Sequence, residues 1–229
     1  MIGNNYLEIK AAVTDMCIST GRGEDACTLI AVSKTKPVEL LKEAYEAGCR
    51  DFGENKVQEL LDKYDKLPDD IRWHMIGHLQ TNKVKYIVDK VALVHSVDSV
   101  RLAGEISKEA CKKNVTVRVL LEVNVAKEAT KYGFKPEELL EAVREIALLP
   151  GVKVEGLMTI APFVENSEDN RVYFNQLKQL AVDISAKNID NISMNILSMG
   201  MSGDYLVAVS EGATYVRVGS GIFGNRTYS

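Results

Sequence analysis

Eight short β-rich runs, each followed by a segment of helical period or a short helical turn, constrain this chain more than any other feature. They lie at 28–32, 50–53, 72–76, 93–96, 115–124, 153–160, 194–198 and 214–218. Several are apolar on nearly every residue, as strands covered on both faces must be, and strand–helix alternation builds parallel sheets. Pro37 opens a helix carrying Val38, Leu41, Ala44 and Tyr45, and Gly48 closes it. A second carries Val57, Leu60, Leu61 and Tyr64, ending before Pro68. Asp98 is the expected cap of a helix with Leu102, Ile106 and Ala110, and Ser167 the expected cap of one running through Phe174, Leu177, Ala181 and Ile184. Pro136 opens another that Pro150-Gly151 stops, and an extra helix near 6–18 precedes the first strand.

Eight βα units in 229 residues match the roughly 250 residues typical of a (β/α)₈ barrel. The expected fold is therefore a single α/β TIM-type barrel over 1–229, with a doubly wound open sheet as the alternative. No Pro/Gly/Ser linker marks a domain boundary.

Composition narrows the function classes. With 28 Lys+Arg against 32 Asp+Glu the formal net charge is −4, without the basic stripe of a nucleic-acid binder. The longest apolar stretch, 115–125, is broken by Arg118 and Glu122, short of a membrane span, and the N-terminus lacks a basic-then-apolar leader. Cys17, Cys27, Cys49 and Cys111 form no Cys-x-x-Cys pair, so free thiols in a reducing cytoplasm are expected.

In such a barrel the chemistry sits where strands end. Lys34 follows the first strand directly, either as an amine able to form a Schiff base or as a solvated loop lysine, and Lys36 is expected to face solvent. The string Gly219-Ser220-Gly221-Ile222-Phe223-Gly224 fits G-x-G-x-x-G but lacks the βαβ unit and following acid of a dinucleotide site. After a last barrel strand it reads as a phosphate-binding turn or as a ligand-free closing turn. Ser202, after the seventh strand, is either a helix cap or a second phosphate ligand. Arg217 interrupts an apolar strand and must meet a ligand atom or a carboxylate. Asn55 caps a helix or contacts ligand, with capping favoured. His74 and His78 straddle a strand end, so a zinc pair is not expected; His95 shows no obvious partner, and Lys127 and Lys131 read as a solvated rim loop.

Six segments together resemble the pyridoxal phosphate homeostasis proteins, single-domain relatives of the alanine racemase N-terminal barrel. They are AVSKTKP at 31–37, FGENKVQE at 52–59, WHMIGHLQTNK at 73–83, GLMTI at 156–160, LSMGMS at 197–202 and VRVGSGIFG at 216–224, within a match from Leu29 to Arg226. Gly203 and His78 depart from the family pattern, where acidic or polar residues and proline are common. The resemblance implies pyridoxal 5′-phosphate held by Lys34 as an internal aldimine, phosphate on Ser202, Gly219 and Ser220, Arg217 against the pyridine nitrogen, and Asn55 in the site. It implies a cytoplasmic monomer of vitamin B6 homeostasis, touching neither nucleic acid nor membrane, that buffers or delivers the cofactor to apo enzymes with little or no catalysis. A minor amino-acid racemase is the alternative, and a Schiff-base aldolase a weaker third. The sequence ends five residues after Gly224, so the second racemase domain and its tyrosine are expected to be absent.

Overall fold

The structure, a computed structural model, describes residues 1–128 and 130–224. Ala129, in the rim loop, and the end of the resembling stretch at Arg226 lie outside them. The helix α1 (Ile2–Ser19) leads into eight alternations: β1 (Thr28–Val32), α2 (Val38–Glu46), β2 (Asp51–Glu54), α3 (Val57–Tyr64), β3 (Arg72–Met75), a 3₁₀ turn (Thr81–Tyr86), β4 (Leu93–Val97), α4 (Val100–Lys113), β5 (Val117–Glu122), α5 (Leu139–Ala147), β6 (Val152–Met158), a 3₁₀ turn (Ser167–Asn170) with α6 (Arg171–Ser185), β7 (Ile192–Met201), α7 (Tyr205–Ser210), β8 (Tyr215–Val218) and α8 (Ser220–Phe223).

The strands close in sequence order, β8 pairing parallel to β1 with Ile30 opposite Arg217, so the expected closed barrel is present rather than the open sheet. Alternate residues divide between two packing environments. Trp73, Met75 and Val94 join the large apolar cluster under the helices, whereas Leu93, Leu120 and Met158 form a separate small cluster with Ile160, Ile196 and Tyr215 inside the barrel. Between β6 and β7 the register shifts at Gly156, where a Cβ would stand 1.9 Å from the Ile196 carbonyl oxygen, so only glycine lets these strands approach. The four cysteines are unpaired. No helix among the described residues is long and apolar enough to cross a membrane.

Several expected boundaries are corrected. Ser99, not Asp98, caps α4: its hydroxyl accepts from the Leu102 N–H at 3.3 Å and donates to Asp98. Asn166, not Ser167, starts the next segment, because its amide oxygen accepts from the Glu168 N–H and winds a 3₁₀ turn before α6. Strand β7 runs to Met201, three residues beyond its expected end. Gly200 allows this, since at φ +91° it brings its backbone against Ala208 and Tyr205, where a side chain would collide.

Candidate cofactor site at the barrel mouth

Lys34 stands on a loop clamped from below. Ser33 is buried; its N–H donates to the Gly53 carbonyl at 3.0 Å, and its hydroxyl donates to Glu54 Oε1 at 2.7 Å. Lys63 Nζ, from α3, donates to the Ser33 carbonyl at 2.8 Å, to Glu54 Oε1 at 2.7 Å and to Glu59 Oε1 at 3.0 Å. The Glu59 carboxylate also accepts from the Thr35 N–H, holding Thr35 at φ +62°. Burial raises the Glu54 carboxyl pKa above its ordinary value, opposed by the neighbouring Lys63 charge. None of these contacts was legible in sequence.

The loops after β7 and β8 meet the same mouth. Ser202 does not cap a helix: the N-cap of α7 is Asp204, whose carboxylate accepts from the Met201 N–H at 2.7 Å. Freed from capping, the Ser202 hydroxyl accepts from the Gly219 N–H at 3.2 Å. Lys36 does not project into solvent. Half-buried, it donates from Nζ to the Phe223 and Gly224 carbonyls, both at 3.1 Å, tying the β1 loop to the β8 loop.

Arg217, only 4% exposed, donates from Nη1 to Ser198 Oγ at 2.5 Å and from Nη2 to the Thr159 carbonyl at 2.8 Å. Among the described residues no carboxylate lies within 4.0 Å of it, so of its two expected acceptors, a ligand atom or a carboxylate, the second is not met, and neutral oxygens take the two N–H groups. Burial depresses its pKa to about 10, while the charges of Glu122 and Asp204 push the other way. Asn55 is also not a cap, because Lys56 occupies that position of α3. Its Oδ1 is buried without a hydrogen-bond partner, and it is pressed into place by Gly77, where a Cβ would stand 2.5 Å from the Asn55 carbonyl oxygen.

Lys34, Asn55, Ser202, Arg217, Gly219 and Ser220 line one cavity of about 350 Å³, walled by Val32, Ile76 and Ile160. It gathers the amines of Lys34 and Lys36, a hydroxyl with helix-start N–H groups, a buried guanidinium and an unsatisfied amide atom. Such a set suits an aldehyde carrying phosphate and a ring acceptor. The histidines lie elsewhere: His78 stacks on Tyr132 and bonds Asp98 at 3.0 Å, while His74 bonds His95 at 2.9 Å. His95 thus has the partner its sequence context did not reveal. No group of three or more metal-ligating side chains occurs among the described residues. Lys131 is likewise engaged, with the Ile160 and Ala161 carbonyls at 3.3 Å and with Glu128.

The chain is similar to known proteins in both sequence and fold. A family model described as alanine racemase, N-terminal domain, matches residues 19–227. A pyridoxal phosphate homeostasis protein of Aquifex aeolicus is 50% identical over 213 residues, covering 93% of this chain and 92% of the relative. The solved structure of PipY from Synechococcus elongatus with pyridoxal phosphate bound superposes with a TM-score of 0.81 at 35% identity, covering 93% of this chain and all of that one. Alanine racemase from Corynebacterium glutamicum, at 14% identity and a TM-score of 0.76 over 61% of its chain, shares the fold.

Proposed function

Since this chain belongs to the pyridoxal phosphate homeostasis proteins, a family built on the alanine racemase N-terminal domain, we propose that it binds pyridoxal 5′-phosphate reversibly at the barrel mouth and buffers or delivers it. The observation that carries this reading is the convergence of Lys34, Ser202, Gly219, Ser220 and Arg217 on one cavity from three separate strand ends. The unsatisfied Oδ1 of Asn55 in the same wall is a polar atom that a bound ligand would complete.

Two lysines, Lys34 and Lys36, line the cavity; Lys34, just after β1, is the amine that would hold the cofactor through the imine-forming aldehyde chemistry it supplies when bound. Ser202 Oγ, which the Gly219 N–H positions at 3.2 Å, and the Ser220 N–H would hold the phosphate oxygens, since N–H groups opening a helix have no acceptor within it. Arg217 is a donor only, so a ring nitrogen facing it must accept and stay unprotonated. A ring held that way is a weak electron sink, in contrast to one paired with a carboxylate. This chemistry favours holding and handing over the cofactor, with apo enzymes as recipients, over turnover. A cytoplasmic, monomeric carrier fits that role.

The test is the visible spectrum of the purified protein supplied with pyridoxal phosphate, before and after borohydride, beside Lys34→Ala. A visible band that borohydride bleaches while leaving the cofactor covalently attached, and that the variant lacks, is expected. Wild-type protein that stays colourless and unmodified sinks the cofactor reading, and rapid racemisation of free amino acids would replace carriage with catalysis.

A further inference from the structure

An unbroken run of buried side chains crosses the barrel interior beneath Arg217. Arg217 Nη1 lies 2.5 Å from Ser198 Oγ; Ser198 Oγ lies 2.9 Å from His95 Nδ1; His95 Nε2 lies 2.9 Å from His74 Nδ1; and His74 Nε2 lies 3.0 Å from Asp51 Oδ1. Each of the five side chains is buried, and they come from β8, β7, β4, β3 and β2. The run joins the cofactor cavity to a second cavity at the opposite end of the barrel, where Asp51 and Arg72 stand with Tyr6 and Lys10.

Proton counting gives the run one direction. A guanidinium only donates, so Ser198 Oγ accepts from Arg217. The one hydroxyl hydrogen of Ser198 then needs an acceptor, because a buried O–H left unpaired loses its hydration with nothing in return. His95 Nδ1 is the atom within reach, so it carries no hydrogen. A neutral His95 therefore carries its hydrogen on Nε2 and donates to His74 Nδ1, which leaves His74 with Nε2–H donating to Asp51. The far end is locked as well. Arg72 grips Asp51 with Nε at 2.9 Å and Nη2 at 2.6 Å, and a carboxylate only accepts. Burial keeps the His95 pKa well below its ordinary value, helped by the nearby Arg217 charge, which agrees with a neutral ring.

We propose that Ser198, His95, His74 and Asp51 form a one-way hydrogen-bond chain that positions Arg217 as a fixed donor under the cofactor. Its effect on ligand rests on the cofactor reading above; its existence does not. Cutting the chain at any link leaves Arg217 or a histidine without its assigned partner, so a change near the barrel's far face alters binding at the mouth.

Two measurements decide it. Nitrogen-resolved NMR of the three histidines, assigned with His78→Gln and His95→Gln, is expected to show hydrogen on Nε2 and a bare Nδ1 for both His74 and His95. Hydrogen on Nδ1 of either overturns the chain whether or not cofactor binds. For affinity, Ser198→Ala and His95→Leu are expected to weaken pyridoxal phosphate binding by about ten-fold, the worth of one lost hydrogen bond. His95→Gln, whose amide accepts at one atom and donates at the other, is expected to stay within about three-fold and to keep the wild-type visible band. Unchanged affinity in Ser198→Ala, or equal losses in His95→Gln and His95→Leu, overturns the positioning role. If the wild type itself binds no pyridoxal phosphate, the cofactor reading fails and the tautomers alone judge the chain.

Discussion

Lys63 Nζ sits 2.7 Å from Glu54 Oε1, and the two side chains are 6% and 0% exposed, so the floor of the Lys34 loop is a buried ion pair. The pair is tied to the loop itself through the Ser33 carbonyl and hydroxyl. Replacing one member strands the other: Lys63→Met is expected to lose about 3–5 kcal/mol of folding stability by chemical denaturation. The double variant Lys63→Met with Glu54→Gln should recover most of that loss, because the uncompensated charge is gone. A single variant within 0.5 kcal/mol of wild type by that measurement, roughly the size of a surface substitution, removes the pair from the account of the loop.

Gly77 acts on the site by contact rather than by backbone conformation. A methyl group there meets the backbone of Asn55 at 2.5–2.6 Å, and backbone cannot swing aside as a side-chain tip does. Gly77→Ala is expected to destabilise by roughly 1–3 kcal/mol and to weaken cofactor binding through a displaced Asn55. Gly104 provides the contrast, lying in α4 with nothing within 4 Å of where its Cβ would be. Gly104→Ala should raise stability by about 0.5–1 kcal/mol with binding unchanged. Thermal melts with titrations of both variants check the pair, and the contact argument fails if they move in the same direction.

What the sequence revealed and what it hid divide along chain distance. The barrel was legible because its signals are local: each apolar run and its following helix lie within a few dozen residues. Lys34, Ser202, Arg217 and Gly219 were legible because each sits at a strand end, and the closed barrel brings strand ends together. The roles of their neighbours were not. Asn55 and Ser202 had an ordinary local use as caps, and only the placement of Lys56 and Asp204 in those positions released them. Partners such as His95 and Ser198, 103 residues apart, or Lys63 and Ser33, 30 apart, become neighbours only through strand register and helix packing. No local pattern encodes such a contact.

Ser202 separates ligand binding from folding. Its hydroxyl accepts from the Gly219 N–H in a part-buried setting, where water can replace it. Ser202→Ala is therefore expected to shift stability by less than about 0.5 kcal/mol, as a surface substitution does. Affinity for pyridoxal phosphate should fall by roughly five-fold or more, while affinity for pyridoxal, which lacks the phosphate, should not change. Titration of both compounds into both proteins reads this directly, and equal losses for the two compounds would show that Ser202 does not address the phosphate.

Glu122, at the end of β5, supplies a pH dependence with a defined sign. Burial pushes its carboxyl from 4.5 up to about 7, reinforced by the Asp98 charge and opposed by Arg217. Between these values the folded protein holds a proton that the unfolded chain has released, so stability falls as pH rises from about 4.5 to 7 and levels off above. The loss is on the order of 3 to 4 kcal/mol, because each tenfold gain in proton affinity on folding is worth about 1.4 kcal/mol. Glu122→Gln keeps the neutral shape and removes the titration, so it should match wild type near pH 4.5 and exceed it by that amount at pH 8. Urea midpoints of the two proteins across this range are the measurement. Curves that stay parallel from pH 4.5 to 8 would mean that Glu122 ionises in the fold at its ordinary value, with Arg217 compensating its burial.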